Sequence, residues 1–150
     1  MKKTILTIAL SLALGVTTIF ANDDKGISQD ITTSFNKEFT HAKQLMWKKE
    51  KNYTVATFTL NGQVISAYYS LNAELVAIVH NILSDDLPIY LLTDLKKNYS
   101  GYWVTSLFEG VTDGESSYYI TVENADQAIV MKSVNSTDWI AEKKTKKIPD

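Results

Sequence analysis

The chain has 150 residues, enough for one domain with its own core and too few for two ordinary ones. Hydrophobic content of 45% with 21% charged residues excludes a disordered chain, and the lack of Cys excludes a disulfide framework, a thiolate metal site and a lipid-anchoring thiol. All 15 basic residues are Lys, set against 17 acidic ones, so the Arg suited to bidentate phosphate and guanine contacts is missing and nucleic acid is not an expected partner.

Residues 1–21 read as a secretory signal: Lys2 and Lys3 precede an apolar run from Ile5 to Val16 that is too short to span a membrane. Cleavage after Ala21 would remove both lysines and leave a mildly acidic, exported chain, periplasmic or extracellular, with no membrane span. Residues 22–27 form a polar lead-in, and 28–140 hold the domain. Ser28 is a candidate cap for a helix running to about Lys43, with Ile31, Phe35, Phe39 and Ala42 at helical spacing. Leu45, Trp47 and the lysines at 48, 49 and 51 read as a short edge strand or connector.

Residues 53–69 carry the strongest local signal. Two alternating runs flank Asn61-Gly62, a pair that suits a type I′ turn because both residues tolerate positive φ. That turn sets Leu60 opposite Gln63, Phe58 opposite Ile65 and Ala56 opposite Ala67. One face then bears Ala56, Phe58, Leu60, Ile65, Ala67 and Tyr69, apolar enough for a core. The other bears Tyr53, Val55, Thr57, Thr59, Val64, Ser66 and Tyr68. A slip of one residue would exchange the faces, so the register is well specified.

Residues 70–74 turn the chain without the usual Gly, and Leu75 to Ile82 read as a third strand. Ser84-Asp85-Asp86-Leu87-Pro88 is a helix start, since acidic residues suit the positive helix end and Pro is tolerated in the first turn. That helix extends to about Asn98 and buries Leu91 or Leu92, Leu95 and Tyr99. Over 102–109 the alternation admits either Val104 with Phe108 or Trp103 with Leu107 as the buried set. Strands follow at 117–123 and 128–134, Trp139 is the last docking residue, and 141–150 read as a solvated, Lys-rich tail. Each half thus runs helix then three strands, a loose α-β-β-β repeat. The expected class is α+β, an antiparallel sheet with two helices packed on one face.

The spacing of Phe39, Ala42, Trp47, Tyr53, Val55, Phe58, Asn61-Gly62, Ala67-Tyr68, Glu74-Leu75 and Leu87-Pro88 resembles the PepSY-like, β-lactamase-inhibitor-like family of exported bacterial proteins. The resemblance covers roughly 35–134 and departs at Ala73, where the family commonly has Gly. It implies an α+β fold, a periplasmic or extracellular setting and a binding role in place of catalysis. The matching positions are core and turn residues, so it carries over no functional residue.

Chemistry-bearing patterns are sparse. His41 and His80 are the only histidines, and His80 near Asp85 and Asp86 falls short of the three or four converging groups of a zinc site. Asp113-Gly114-Glu115 lacks the ligand spacing of a calcium loop and reads as a hairpin turn. No nucleophile elbow, Ser-x-x-Lys motif or phosphate loop is present, so the chain reads as a non-enzyme with no catalytic residue, metal or cofactor. The excess of aromatic residues, 11% of the chain, supplies the candidate site. Tyr53 and Tyr68 lie off the core face of the hairpin, and Trp103 and Tyr119 join them if their strands take matching parity. Such residues anchor protein partners well. The expected role is a protein-binding or inhibitor-like module with a partner in the cell envelope. The alternative is a small-ligand or glycan-binding module that uses the same aromatics.

Overall fold

A computed structural model describes residues 26–147. The predicted signal peptide and residues 22–25 of the lead-in lie outside the described residues. Helix α1 (Gln29–Glu38) begins where Ser28 Oγ accepts the Ile31 amide at 3.3 Å. It ends at Glu38, short of the predicted Lys43, because strand β1 (Lys43–Lys49) is claimed by pairing with β2 (Thr54–Leu60). Strands β3 (Gln63–Tyr69) and β4 (Leu75–Asn81) follow. A 3₁₀ turn at Ser84–Asp86, in which Asp86 Oδ2 accepts the Leu83 amide at 2.9 Å, leads into α2 (Ile89–Asn98). Strands β5 (Trp103–Thr112), β6 (Glu115–Glu123), β7 (Gln127–Ser133) and β8 (Ile140–Lys146) complete the chain.

The eight strands form one sheet in sequential order, every neighbouring pair antiparallel. The predicted α+β class, with two helices layered on one face and three strands per half, is therefore corrected. Strands hold 50% of the described residues and helices 19%. Eight strands spaced about 4.8 Å apart span roughly 34 Å, whereas a ten-residue helix is only about 15 Å long. Each helix accordingly belongs to its own apolar cluster. Ile31 and Phe35 pack with Ala56, Phe58, Ala67 and Tyr69, and Leu91 and Leu95 pack with Leu107, Ile120, Val122, Ile129 and Met131. The repeating unit is a helix followed by four strands, with Ile31, Phe35 and Phe39 recurring sixty positions on as Leu91, Leu95 and Tyr99.

The fourth strand of the second unit is the segment predicted to be a solvated tail. Residues 140–146 pair with β7, from Lys132 opposite Ile140 to Gln127 opposite Lys146, while every β8 side chain stays exposed. Its lysines conceal the strand from a reading based on apolar alternation, because an edge strand needs only its backbone to join the sheet. Trp139 docks on α2, its indole N–H donating to the Leu91 carbonyl at 3.1 Å.

The hairpin register is as predicted: Leu60 faces Gln63, Phe58 faces Ile65 and Ala56 faces Ala67, with Asn61 and Gly62 at φ of 51° and 83°. Asp113 and Gly114 repeat that geometry between β5 and β6, at 52° and 78°. The ambiguity over 102–109 has a cause. A bulge between Val104 and Ser106 inserts Thr105, so Val104 lies on the side of Leu107, and Trp103 on the side of Phe108. No single alternation describes that strand.

Ala73 and Tyr69 carry local cost. Ala73 adopts φ of 63°, a conformation that suits Gly. Ala73→Gly should raise stability by about 0.5–1 kcal/mol, read as a higher midpoint in urea with an unchanged slope. Tyr69 is fully buried, its hydroxyl has no hydrogen-bond partner among the described residues, and burial pushes the phenol well above its ordinary range. Tyr69→Phe removes that orphan polar group and should stabilise by about 1 kcal/mol; a loss of stability in the same denaturation measurement would reveal a hidden partner.

Candidate functional site

Strand register connects the predicted aromatics to one side of the sheet. Tyr68 on β3 pairs with Ala77 on β4; two residues along, Val79 pairs with Gly110 on β5; and Phe108, two residues from Gly110, pairs with Tyr119 on β6. Trp103 shares that side through the Thr105 bulge. This surface is called the tyrosine face below. Its residues alternate with core residues such as Ala67, Leu107 and Ile120. Tyr53 immediately precedes β2, is half-buried, and accepts the Glu50 amide on its carbonyl at 2.8 Å.

The four aromatics fall in two groups. Tyr68 sits in the first half, opposite Val55, which is buried. Burial raises the Tyr68 phenol above its ordinary range, with nearby Lys48 opposing the shift. Lys48 is itself paired with Glu50 at 2.7 Å. In the second half Tyr119 stacks on Phe108, ring centroids 5.0 Å apart and planes 9° from parallel, with the Lys132 ammonium 5.1 Å from the Tyr119 centroid. Trp103, 52% exposed, carries Lys147 over its ring at 5.0 Å. Lys147 also binds Glu123 at 2.8 Å, and Glu123 accepts from Thr105 Oγ1 at 3.1 Å. The outcome is an aromatic surface with ammonium groups held against its rings, a geometry worth roughly 0.5–1 kcal/mol per exposed cation–π contact.

Phe108, Glu123, Lys132 and Lys147 are the members that sequence reasoning missed. Lys132 had a usable signal, as the one charged residue in a strand otherwise made of apolar and small polar residues. Lys147 was hidden by the tail assignment, and Phe108 by the bulge.

The remaining candidates have other roles. His80 Nε2 lies 3.4 Å from Glu109 Oε2 across the β4–β5 pair, away from the predicted Asp85 and Asp86. His41 is exposed, with its Nδ1 2.9 Å from Thr40 Oγ1. Among the described residues no three His, Asp or Glu side chains converge as a metal site would require. Among the described residues, one groove of about 500 Å³ is lined by Gln44, Leu45, Met46, Thr57, Phe58, Thr59 and Val64, and another of about 250 Å³ lies beside α2. Neither is lined by Tyr53, Tyr68, Trp103 or Tyr119.

No family model matches the chain, and no curated protein matches it. Solved structures do. A DUF2874 family protein from Bacteroides uniformis has a TM-score of 0.71 at 18% identity, over 80% of this chain and 89% of that one. A Bacteroides eggerthii protein whose name assigns it provisionally to the periplasm has 0.70 at 15%, over 79% and 88%. A BLIP-like protein from Bacteroides fragilis has 0.68 at 21%, over 85% and 95%. At these identities the likeness establishes a shared fold alone. The chain has a BLIP-like fold, which agrees with the β-lactamase-inhibitor-like part of the sequence resemblance; none of the three is described as PepSY-like. Among the described residues no helix is long and apolar enough to cross a membrane.

The Glu123 carboxyl is held below its ordinary value, chiefly by the hydrogen bond from Lys147, with Thr105 adding to the effect. A depressed carboxyl stabilises its contact above the ordinary carboxylate range and loses it as pH falls through the lowered value. Lys147→Gln should therefore move the Glu123 titration upward, as measured by carbon-detected NMR of the carboxyl; an unmoved titration would mean that Lys147 does not hold it.

Proposed function

We propose that this chain is an exported, non-enzymatic binding protein that meets a protein partner of the cell envelope through the tyrosine face, with Tyr68, Trp103 and Tyr119 as anchors and Tyr53 at the rim. The observation that carries this reading is the register that aligns Tyr68, Tyr119 and Trp103 on one side of the sheet, outside both apolar clusters. Rigid aromatics on strands give large contact area at low entropic cost. The BLIP-like fold and the periplasmic name of one structural neighbour support an inhibitor-like role in that compartment. Residues 1–21 are the export signal in this reading, and PepSY-like membership rests on the sequence motifs alone.

The test uses residues 22–150 as bait against envelope proteins of the native host, with the Tyr68→Ala/Tyr119→Ala variant alongside. A partner retained by the wild type and lost by the folded variant, with affinity reduced at least about tenfold, is the expected result. A partner held equally by both would remove the tyrosines from the contact, and an unfolded variant would assign them to the core.

A further inference from the structure

We infer that the partner of the tyrosine face is acidic, a protein segment that sets carboxylates on Lys132 and Lys143 while its apolar or aromatic side chains lie on Tyr119 and Trp103. This rests on the tyrosine face being the binding surface and narrows it to the half built by β5–β8.

In the first half Lys48, opposite Val55 and next in register to Tyr68, is neutralised by Glu50, and Lys43 lies at the start of β1 opposite Thr59. In the second half Lys143 pairs with Val130 on β7, and Val130 pairs with Thr121, two residues from Tyr119; Lys132 pairs with Tyr119 itself. Neither Lys132 nor Lys143 takes part in an ion pair among the described residues. Of the carboxylates on these rows, Glu123 is already engaged by Lys147 and Thr105, and Glu115 stands at the far end of β6, four residues from Tyr119. An otherwise acidic chain, with 17 acidic against 15 basic residues, thus presents two ammonium groups outside any ion pair of the described residues on the rows that carry the half-buried Tyr119.

Lys132 is half-buried and holds its ammonium 5.1 Å from the Tyr119 ring centroid, which places its charge on the aromatic surface. A carboxylate arriving there gains an ion pair that desolvation strengthens as the interface closes. Glu123 argues against a dense polyanion, because a uniformly charged nucleic acid or lipid surface laid over the patch would be forced onto that carboxylate. A protein segment can place its charges around it.

The test titrates the ¹⁵N-labelled chain with three capped ten-residue peptides of alternating Glu–Tyr, Gln–Tyr and Lys–Tyr sequence. The Glu–Tyr peptide should shift amides around Tyr119, Lys132 and Lys143 and bind about tenfold more tightly than Gln–Tyr, with the advantage shrinking in high salt. The Lys132→Glu/Lys143→Glu variant should lose that advantage. Lys132→Gln/Lys143→Gln, which disturbs the Tyr119 packing less, should lose it too and keeps the test decisive if the reversal fails to fold. Equal binding of Glu–Tyr and Gln–Tyr at these amides would overturn the acidic partner and leave the binding face standing. Shifts confined to 48–51 or 96–97, or no shift with any peptide, would overturn it as well. So would tighter binding of oligo-dT or phosphatidylglycerol vesicles than of the Glu–Tyr peptide.

Discussion

Strands β4 and β5 meet through four pairs, from Ile78 opposite Val111 to Asn81 opposite Phe108, and the joining of the two helix-plus-four-strand units depends on them. The other strand pairs are joined by connections that carry no helix, so local geometry goes far toward setting their register. This pair is separated by the 3₁₀ turn and α2, so long-range packing must set it. The His80–Glu109 contact lies on this pair, and Gly110 stands opposite Val79. A Cβ at Gly110 would meet the Tyr119 ring at 3.6 Å and Val79 at 3.8 Å, ordinary van der Waals contacts that place the Tyr119 ring beside this junction. A shift of one residue here would break the alignment of Tyr68 with Tyr119 and divide the surface in two.

Local chemistry made much of the architecture readable. Asn61-Gly62 fixed a hairpin and its two faces, Ser28 marked a helix start, and the Ile31–Phe35 and Leu91–Leu95 spacings identified the buried stripes. What stayed hidden obeys no periodic rule. Lys143, Lys144 and Lys146 occupy a strand whose membership depends on backbone pairing with β7, and backbone groups leave no trace in composition. Thr105 breaks the alternation of β5, and beyond it Leu107 and Phe108 are buried on opposite faces while Trp103 and Val104 are both exposed, so neither alternating set was the buried one. The candidate site was legible as far as its aromatic residues. The lysines seated on them were not, because a cation–π contact between strands depends on a register that only the folded sheet defines.

Aromatics on a sheet face outside the two apolar clusters invite self-association, and the lysines bear on that problem as well as on recognition. Lys132 and Lys147 hold their ammonium groups over the Tyr119 and Trp103 rings, which reduces the apolar area on view. The lysine-rich edge strand β8 discourages pairing with a second sheet in the same way. A surface protected by charge in the free protein is a surface that opposite charge can open.

The bulge at Thr105 makes the face tolerant of a change in chain length. Removing that one codon would leave Val104 beside Ser106 and restore simple alternation along β5, with Val104 still opposite Val122 and Trp103 still opposite Glu123. Trp103 therefore keeps its side of the sheet with or without the extra residue. Its place is held by pairing with β6, so gain or loss of one residue at this point of β5 is absorbed locally.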